Sequence, residues 1–350
     1  MLMKNLQEKI GQMLLVGFSG TSLTPNHEMA QALMAGAVGG VILFDIDYQT
    51  KIPGKNILNP AQVKLLNYQL QHYAGSSNPL FIAVDYEGGA VNRLSSRYGF
   101  PEIVGAEALV SEGLERAREQ ARLMAKTLKN VGFNVDFAPV LDVNINPENP
   151  ILGRLGRCYS EDPAIVAEYA EVFVEECHEQ GVLCAYKHFP GHGSSMQDSH
   201  LGFVDVTESW RLEELVPYHK LLKNTHFNDF VMTAHIINRQ LDTSGLPATL
   251  SKPILTDLLR HELNFSGIII TDDMQMQAIS DHYSLVDAAT LAINAGADML
   301  IYGNQLAKTP VDPRDLVSMI ANQVTSGAID MERIDSAYER ILACKKRITS

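Results

Sequence analysis

Basic residues are in short supply: 28 Lys and Arg stand against 41 Asp and Glu, a formal net charge of −13. Without a cationic surplus to neutralise phosphates, the chain is poorly suited to holding nucleic acid. Cysteine is scarce as well. Cys158, Cys177, Cys184 and Cys344 show neither a CxxC pair nor a regular spacing, so neither a zinc site nor a disulfide framework is indicated and four reduced core thiols are expected. No apolar run approaches the ~20 residues needed to cross a bilayer. The opening MLMKNLQEKIGQMLLVGF has only a short apolar run and no small-residue cleavage site, which points to a cytoplasmic protein without a membrane partner. Nucleotide-binding glycine loops are missing too. The pair Gly88-Gly89 has no GxGxxG or P-loop lysine around it and is expected to let backbone approach a ligand or a neighbouring segment. No low-complexity linker, charge block or compositional shift marks a boundary, so one domain is expected over residues 1–350.

What is present is a globular composition, 46% apolar and 20% charged, sufficient for a large core. Eight short apolar segments read as buried strands: MLLVGF near 13, GVILF near 40, LFIAVD near 80, VDFAPV near 135, LCAYKHF near 183, FVMTAHI near 230, GIIITD near 267 and DMLIYG near 298. Such nearly continuous apolar runs fit parallel strands covered on both faces. Helical stretches lie between most of them. Asn59-Pro60 and Asp162-Pro163 pair a capping side chain with a proline at the first turn. In EGLERAREQARLMAKTLKNVG, Leu114, Ala117, Ala121, Met124 and Leu128 recur at helical spacing, and Gly132 follows the last turn. Strands alternating with helices predict an α/β fold, a single-domain (β/α)8 TIM-like barrel, with an open doubly wound sheet as the alternative.

Polar residues interrupt the strand ends. Asp85 closes one strand, Lys187 and His188 another, His235 a third, and Asp272 and Asp273 a fourth. Carboxylates and bases in that phase suit a sugar-processing pocket at the C-terminal mouth of a barrel. Each has a plainer reading. One of Asp272 and Asp273 would cap a helix starting near Met274, leaving the other to face the barrel axis, where a carboxylate could attack an anomeric carbon. Any one of His188, His192, His200 and His235 is more readily a satisfied core or loop histidine than a catalyst. The run PGHGSSMQDSHLG is Gly/Ser-rich, read as mobile, and holds Asp198 two residues before His200. If it closes over substrate, that carboxylate can orient the imidazole as an acid/base. Lys187, Arg93 and Arg157 would ordinarily be solvated or ion-paired, but Lys187 has apolar neighbours, and pocket cations donate strong hydrogen bonds to sugar oxygens.

Together these segments resemble glycoside hydrolase family 3, and within it the single-domain β-N-acetylglucosaminidases of bacterial peptidoglycan recycling. KHFPGHG at 187–193 followed by DSH at 198–200 is the most specific piece; DYEGGAVNR at 85–93, FAPVLDVN at 137–144, MTAH at 232–235 and TDDMQM at 271–276 support it. The resemblance implies a barrel enzyme with no cofactor or metal that removes terminal β-linked N-acetylglucosamine with retention. It implies Asp272 as nucleophile, Asp273 as its structural partner, and Asp198 with His200 as the acid/base dyad. Asp85, Arg93, Arg157, Lys187 and His188 would bind the non-reducing sugar, from a muropeptide or a disaccharide of the GlcNAc-1,6-anhydromuramyl type. Around Arg157 the family pattern GDRSF is replaced by GRLGRCYS, with an apparent insertion. Many relatives take their acid/base glutamate from a second domain. This chain is expected to carry its acid/base on the barrel itself.

Three rivals stand beside that reading. His188, His192, His235 and Asp272 could ligate zinc in a metal-dependent barrel hydrolase, although the usual HxH is missing. A phosphorylase is the second, because a histidine acid/base leaves room for phosphate. A non-catalytic sugar-binding barrel is the third, opposed by the presence of Asp272, Asp198 and His200.

Overall fold

The computed structural model describes residues 2–75, 79–197, 202–306 and 309–348. Eight parallel strands close into a barrel: β1 (Leu14–Gly17), β2 (Gly40–Ile42), β3 (Phe81–Val84), β4 (Val135–Asp136), β5 (Leu183–Phe189), β6 (Phe230–Thr233), β7 (Ile268–Asp273) and β8 (Met299–Tyr302). Each pairs with its neighbours in sequence, and β8 closes on β1 through Leu14 opposite Leu300. All eight coincide with the apolar segments of the sequence. Every strand residue is buried except Asp272 and Asp273, which are half-buried at the end of β7. The chain leaves β4 at Ala138-Pro139, where proline has no N–H to donate to a ladder.

Helices return the chain outside the barrel, and their ends follow local chemistry. Asn59 caps Pro60–Ala74 by accepting from the Gln62 N–H, and Asp162 caps Pro163–Glu179 by accepting from the Ala164 N–H. Such caps contribute about 1 kcal/mol each. The long amphipathic helix runs Leu114–Val131, entered at Gly113 and stopped at left-handed Gly132. At Gly88, φ is +88° and a Cβ would lie 2.3 Å from the Val104 carbonyl oxygen. Backbone packing against a neighbouring segment therefore requires glycine there.

Two expectations are corrected. The helix after β7 does not begin near Met274: β7 continues through Asp273, a turn follows, and the helix is Gln277–Ser280 with Met276 at its N-cap and no side-chain cap. Neither aspartate caps it. The Gly/Ser-rich run after β5 is also not loose at its start. Residues 182–195 are buried without a break, and Gly193 packs so closely on the Val143 carbonyl that a Cβ would sit 1.7 Å from its oxygen. Glycine here permits close packing, which is a different use from flexibility. No helix among the described residues is long and apolar enough to cross a membrane. All four cysteines are buried and free.

Candidate active site

Because parallel strands all end at one mouth, the polar residues that end β3, β5 and β7 converge there. Asp85 follows β3 and Lys187 lies two residues before the end of β5, and the Lys187 Nζ lies 3.0 Å from Asp85 Oδ1 and 2.6 Å from Glu87 Oε1. Glu87 stands on the short hairpin Tyr86–Gly88/Val91–Asn92 that follows β3. It is gripped from the other side by Arg157, whose Nε and Nη2 donate to its two oxygens at 2.8 Å each. The third arm of that guanidinium, Nη1, donates to the Ile151 carbonyl at 2.8 Å. Two acids and two cations thus form one chain, Asp85–Lys187–Glu87–Arg157. Burial alone would push the Glu87 carboxyl up, but Arg157 and Lys187 hold it well below the usual carboxylate range. Burial likewise opposes the charge on Lys187, yet Glu87 and Asp85 raise its pKa.

A second carboxylate organises the histidines. Asp142 is fully buried. His188 Nδ1 lies 2.7 Å from Asp142 Oδ2, and the backbone N–H of His192 donates to Asp142 Oδ1 at 2.7 Å. Burial would raise the Asp142 carboxyl, but His188 beside it keeps it lowered. With Nδ1–H donated to that carboxylate, a neutral His188 ring carries its acceptor at Nε2. Burial pulls His192 down to about 4, so its ring is neutral at pH 7; Nδ1 contacts the Ser195 hydroxyl. Arg93 is at the rim, 3.6 Å from Asp45, which also receives Arg97. Asp272 Oδ1 accepts the Asp273 N–H at 2.7 Å. Asp273 Oδ1 accepts from the Gln275 and Gly303 N–H groups at 3.0 and 3.2 Å, tying the end of β7 to the end of β8.

Asp85, Arg93, Arg157, Lys187, His188 and Asp272 all line one cavity of about 530 Å³, within the size range of small-molecule sites. Its mouth is apolar where Tyr48, Ile151 and Leu155 contribute. Asp198 and His200 lie outside the described residues. The altered GRLGRCYS stretch still delivers its arginine: a short 3-10 turn, Gly153–Leu155, absorbs the extra residues before Arg157. Sequence reading passed over Glu87 and Asp142. Each sits inside a motif already singled out, DYEGG and FAPVLDVN, and a charge directly after a buried strand was the available signal. As for zinc, His235 Nδ1 is 2.7 Å from the Thr249 hydroxyl and Nε2 is 3.0 Å from the Asp273 carbonyl. Among the described residues no group of three or more His, Cys, Asp or Glu side chains has the geometry to hold a metal ion.

Residues 5–344 match the model of the glycosyl hydrolase family 3 N terminal domain. A beta-hexosaminidase of Idiomarina loihiensis is 34% identical over 300 residues, 84% of this chain and 84% of that protein. Beta-hexosaminidase A of Pseudoalteromonas piscicida is 33% identical across 94% of this chain, which spans only 56% of that relative's length. Among solved structures, a family 3 beta-N-acetylglucosaminidase from Paenibacillus sp. str. FPU-7 superposes with a TM-score of 0.87 at 35% identity, covering 98% of this chain and 62% of that one. A beta-N-acetylhexosaminidase from Beutenbergia cavernae gives 0.85 at 26% identity, over 97% and 98%. With the family model matched along nearly its whole length and a closed parallel barrel carrying the converging charges, this chain belongs to glycosyl hydrolase family 3.

Proposed function

We propose that residues 1–350 form a single catalytic barrel that hydrolyses terminal, non-reducing β-linked N-acetylglucosamine with retention of configuration. One observation carries the reading: Asp272 shares its cavity with Asp85, Lys187, Arg157 and His188, a set of fixed donors and acceptors suited to an uncharged sugar. Membership of the family and the likeness to beta-hexosaminidases and to a beta-N-acetylglucosaminidase support the same donor sugar. In the first displacement an Asp272 oxygen bonds to the anomeric carbon while the glycosidic C–O bond breaks, and His200 gives its proton to the departing oxygen. In the second, His200 takes a proton from water, the water oxygen bonds to the anomeric carbon, and Asp272 is released as a carboxylate. Asp198 orients and charges the imidazole.

Asp85, Lys187, His188, Arg93 and Arg157 bind hydroxyls and the acetamido group. Their rigid pairing means that little reorganisation accompanies substrate binding. Disaccharides or muropeptides of the GlcNAc-1,6-anhydromuramyl type are the natural substrates in this reading, and four free buried thiols agree with a reducing, cytoplasmic location. The test is release of chromophore from a β-N-acetylglucosaminide against the matching β-glucoside, with wild type and Asp272→Ala. Release from the first only, abolished in the variant, is expected. Equal activity of the variant would remove Asp272 as nucleophile. A requirement for phosphate or for zinc after chelation would redirect the reading to a phosphorylase or a metal hydrolase, and inverted product by NMR would exclude the double displacement.

A further inference from the structure

The cavity that holds Asp272 has a closed end and a rim. Among its described lining residues Lys187, His188 and His192 are buried and Asp272 is half-buried, whereas only Tyr48, Lys51 and Leu155 are exposed. An enzyme that removes a terminal sugar seats that sugar at the closed end, here on Asp85, Lys187 and Arg157, so the group it releases lies toward the opening. The exposed rim residues are therefore placed to meet the leaving group.

Tyr48 and Lys51 belong to the segment after β2, which forms a pinned turn. Ile46 bridges Pro53, the Asp47 N–H donates to the Ile52 carbonyl at 2.9 Å, and the Lys51 N–H donates to the Asp47 carbonyl at 2.8 Å. Asp47 Oδ1 accepts from the Thr50 N–H at 2.8 Å and from its hydroxyl at 2.9 Å. Buried Gln305, just beyond β8, fastens the turn: its amide donates to the Ile46 carbonyl at 2.9 Å, and its side-chain oxygen accepts the Tyr48 N–H at 3.1 Å. The Gln49 amide adds bonds to the Gln305 and Leu306 carbonyls at 3.2 and 2.9 Å. Lys51 itself has φ +59°, a left-handed conformation that glycine would adopt without strain.

Charge singles out Lys51 among the cations of the cavity. Arg157 and Lys187 are taken up by Glu87 and Asp85, and Arg93 lies 3.6 Å from Asp45. Lys51 has no carboxylate partner among the described residues, and its ammonium stands 3.4 Å from the centre of the Tyr48 ring. An aromatic face orients an ammonium through its quadrupole and leaves the positive charge intact. The chain as a whole carries −13 and repels anions, so an uncompensated cation at the mouth is where a negatively charged group would be held.

We propose that Lys51, held over Tyr48, is a specificity-determining residue that recognises a carboxylate carried by the leaving group. The inference rests on the proposed function, in which the released group is a muramyl-type sugar. Such a sugar offers a carboxylate on its lactyl ether or, where a peptide is joined there, on the peptide; the ammonium–carboxylate pair is the same in both.

The test compares kcat/KM on charged and neutral forms of one leaving group, for wild type, Lys51→Met and Lys51→Arg. One pair is N-acetylglucosaminyl-anhydromuramic acid and its lactyl methylamide. The other is the same disaccharide bearing an acidic dipeptide and the corresponding peptide amide. Wild type should favour the acid of at least one pair by about fivefold, the size of a partly exposed ion pair, and the preference should shrink in high salt. Lys51→Met, which keeps the length of the side chain and removes its charge, should bring the ratio to about one, and Lys51→Arg should restore most of it. Preference within the first pair assigns the lactyl carboxylate, and preference confined to the second assigns the peptide. No preference in either pair, or one that survives Lys51→Met, would overturn the role of Lys51 while leaving the glycosidase reading intact. Wild-type protein inactive on these disaccharides and on a nitrophenyl β-N-acetylglucosaminide would instead overturn the functional reading on which the inference rests.

Discussion

The two ends of the barrel both carry cavities and both carry buried charge, but they use them differently. The cavity at the strand starts is the larger, about 720 Å³ against 530 Å³ at the C-terminal mouth. It is lined by His178, Arg340 and Arg347 and by the approaches to β5 and β7. Beneath it, fully buried Asp298 receives Arg260 and Arg333 at 2.7 Å each and Arg340 at 3.0 Å. Those arginines also donate to carbonyls at helix ends and strand entries: Arg333 to Ile293, Gly296 and Ala297, and Arg260 to Phe265 and Gly267. Burial, with Arg340 and Arg333 nearby, pulls Arg260 down to about 10 despite Asp298. At this end the cations knit backbone ends together, which is a stabilising use. At the other end Lys187, Arg157 and His188 are paired with acids and still line the cavity beside Asp272. Volume does not tell which cavity is the functional one, since the larger lies at the strand starts. What distinguishes them is whether the charged groups serve the chain's own backbone or stand at the edge of space a ligand can enter.

The comparison can be broken from either side. The largest effect is expected for Asp272→Ala, which should lower kcat by on the order of 10⁴-fold with an unchanged urea midpoint. A comparable loss of stability would mean that the upper site is structural as well. Next is Asp298→Asn at the lower end. It leaves three buried or half-buried arginines without their shared charge and should cost about 3–5 kcal/mol in urea unfolding, while kcat/KM of the folded protein stays at the wild-type value. A selective fall in kcat/KM would show that the two ends communicate.

A smaller effect, with both signatures, is expected for Glu87→Gln. Removing the charge between Lys187 and Arg157 should raise KM by on the order of tenfold to a hundredfold, the equivalent of one or two charge-assisted hydrogen bonds. Because Glu87 is held below its ordinary value of 4.5, its contribution to stability is complete above that pH and declines as pH falls below it. The gap in unfolding free energy between wild type and Glu87→Gln should therefore be flat at neutral pH and shrink in acid. A gap that grew on acidification would contradict the ion-pair assignment.

The last test concerns Lys345 at the lower end. Its Nζ donates to Gln12 Oε1 at 2.6 Å and the Gly39 carbonyl at 2.9 Å, and burial lowers its pKa to about 7. Between pH 7 and 10.5 the unfolded chain binds this proton and the folded chain does not, so stability should rise with pH across that window. Glu214, at the upper end, is raised by burial from 4.5 to about 7 and so acts below pH 7, outside that window. Comparing wild type with Lys345→Gln isolates the lysine: the difference in slope between pH 7 and 10 should disappear in the variant, and a slope unaffected by the substitution would assign it elsewhere.

Much of this division was readable in advance, and the exceptions share a cause. The eight strands announced themselves because a strand buried on both faces has to be apolar at every position. Asn59 and Asp162 announced helix starts because a cap acts on backbone two or three residues away. Asp85, Lys187, His188 and Asp272 were visible as polar residues at the ends of those apolar runs. Glu87, Asp142 and Glu214 were harder to see, because each acts on a partner 21 to 70 residues away in sequence, at Gly193, at His188 and at Arg157. The glycines of the PGHG run misled for the same reason, since composition suggests freedom where packing against Val143 and Glu214 leaves none.

The sequence by itself determined the alternation of buried strands and capped helices, because those features depend on local propensity and the period of apolar residues, while closure into a barrel rather than an open sheet came from the pairing of the last strand with the first. Only the tertiary structure decided which charges meet. Lys187 reaches Asp85 and Glu87 across about a hundred residues of chain, and Arg157 reaches Glu87 across 70, since closing the barrel sets distant strand ends side by side. It also decided which of two cavities the charges line without being consumed by the backbone, and that the buried Glu214 would accept the Gly193 N–H.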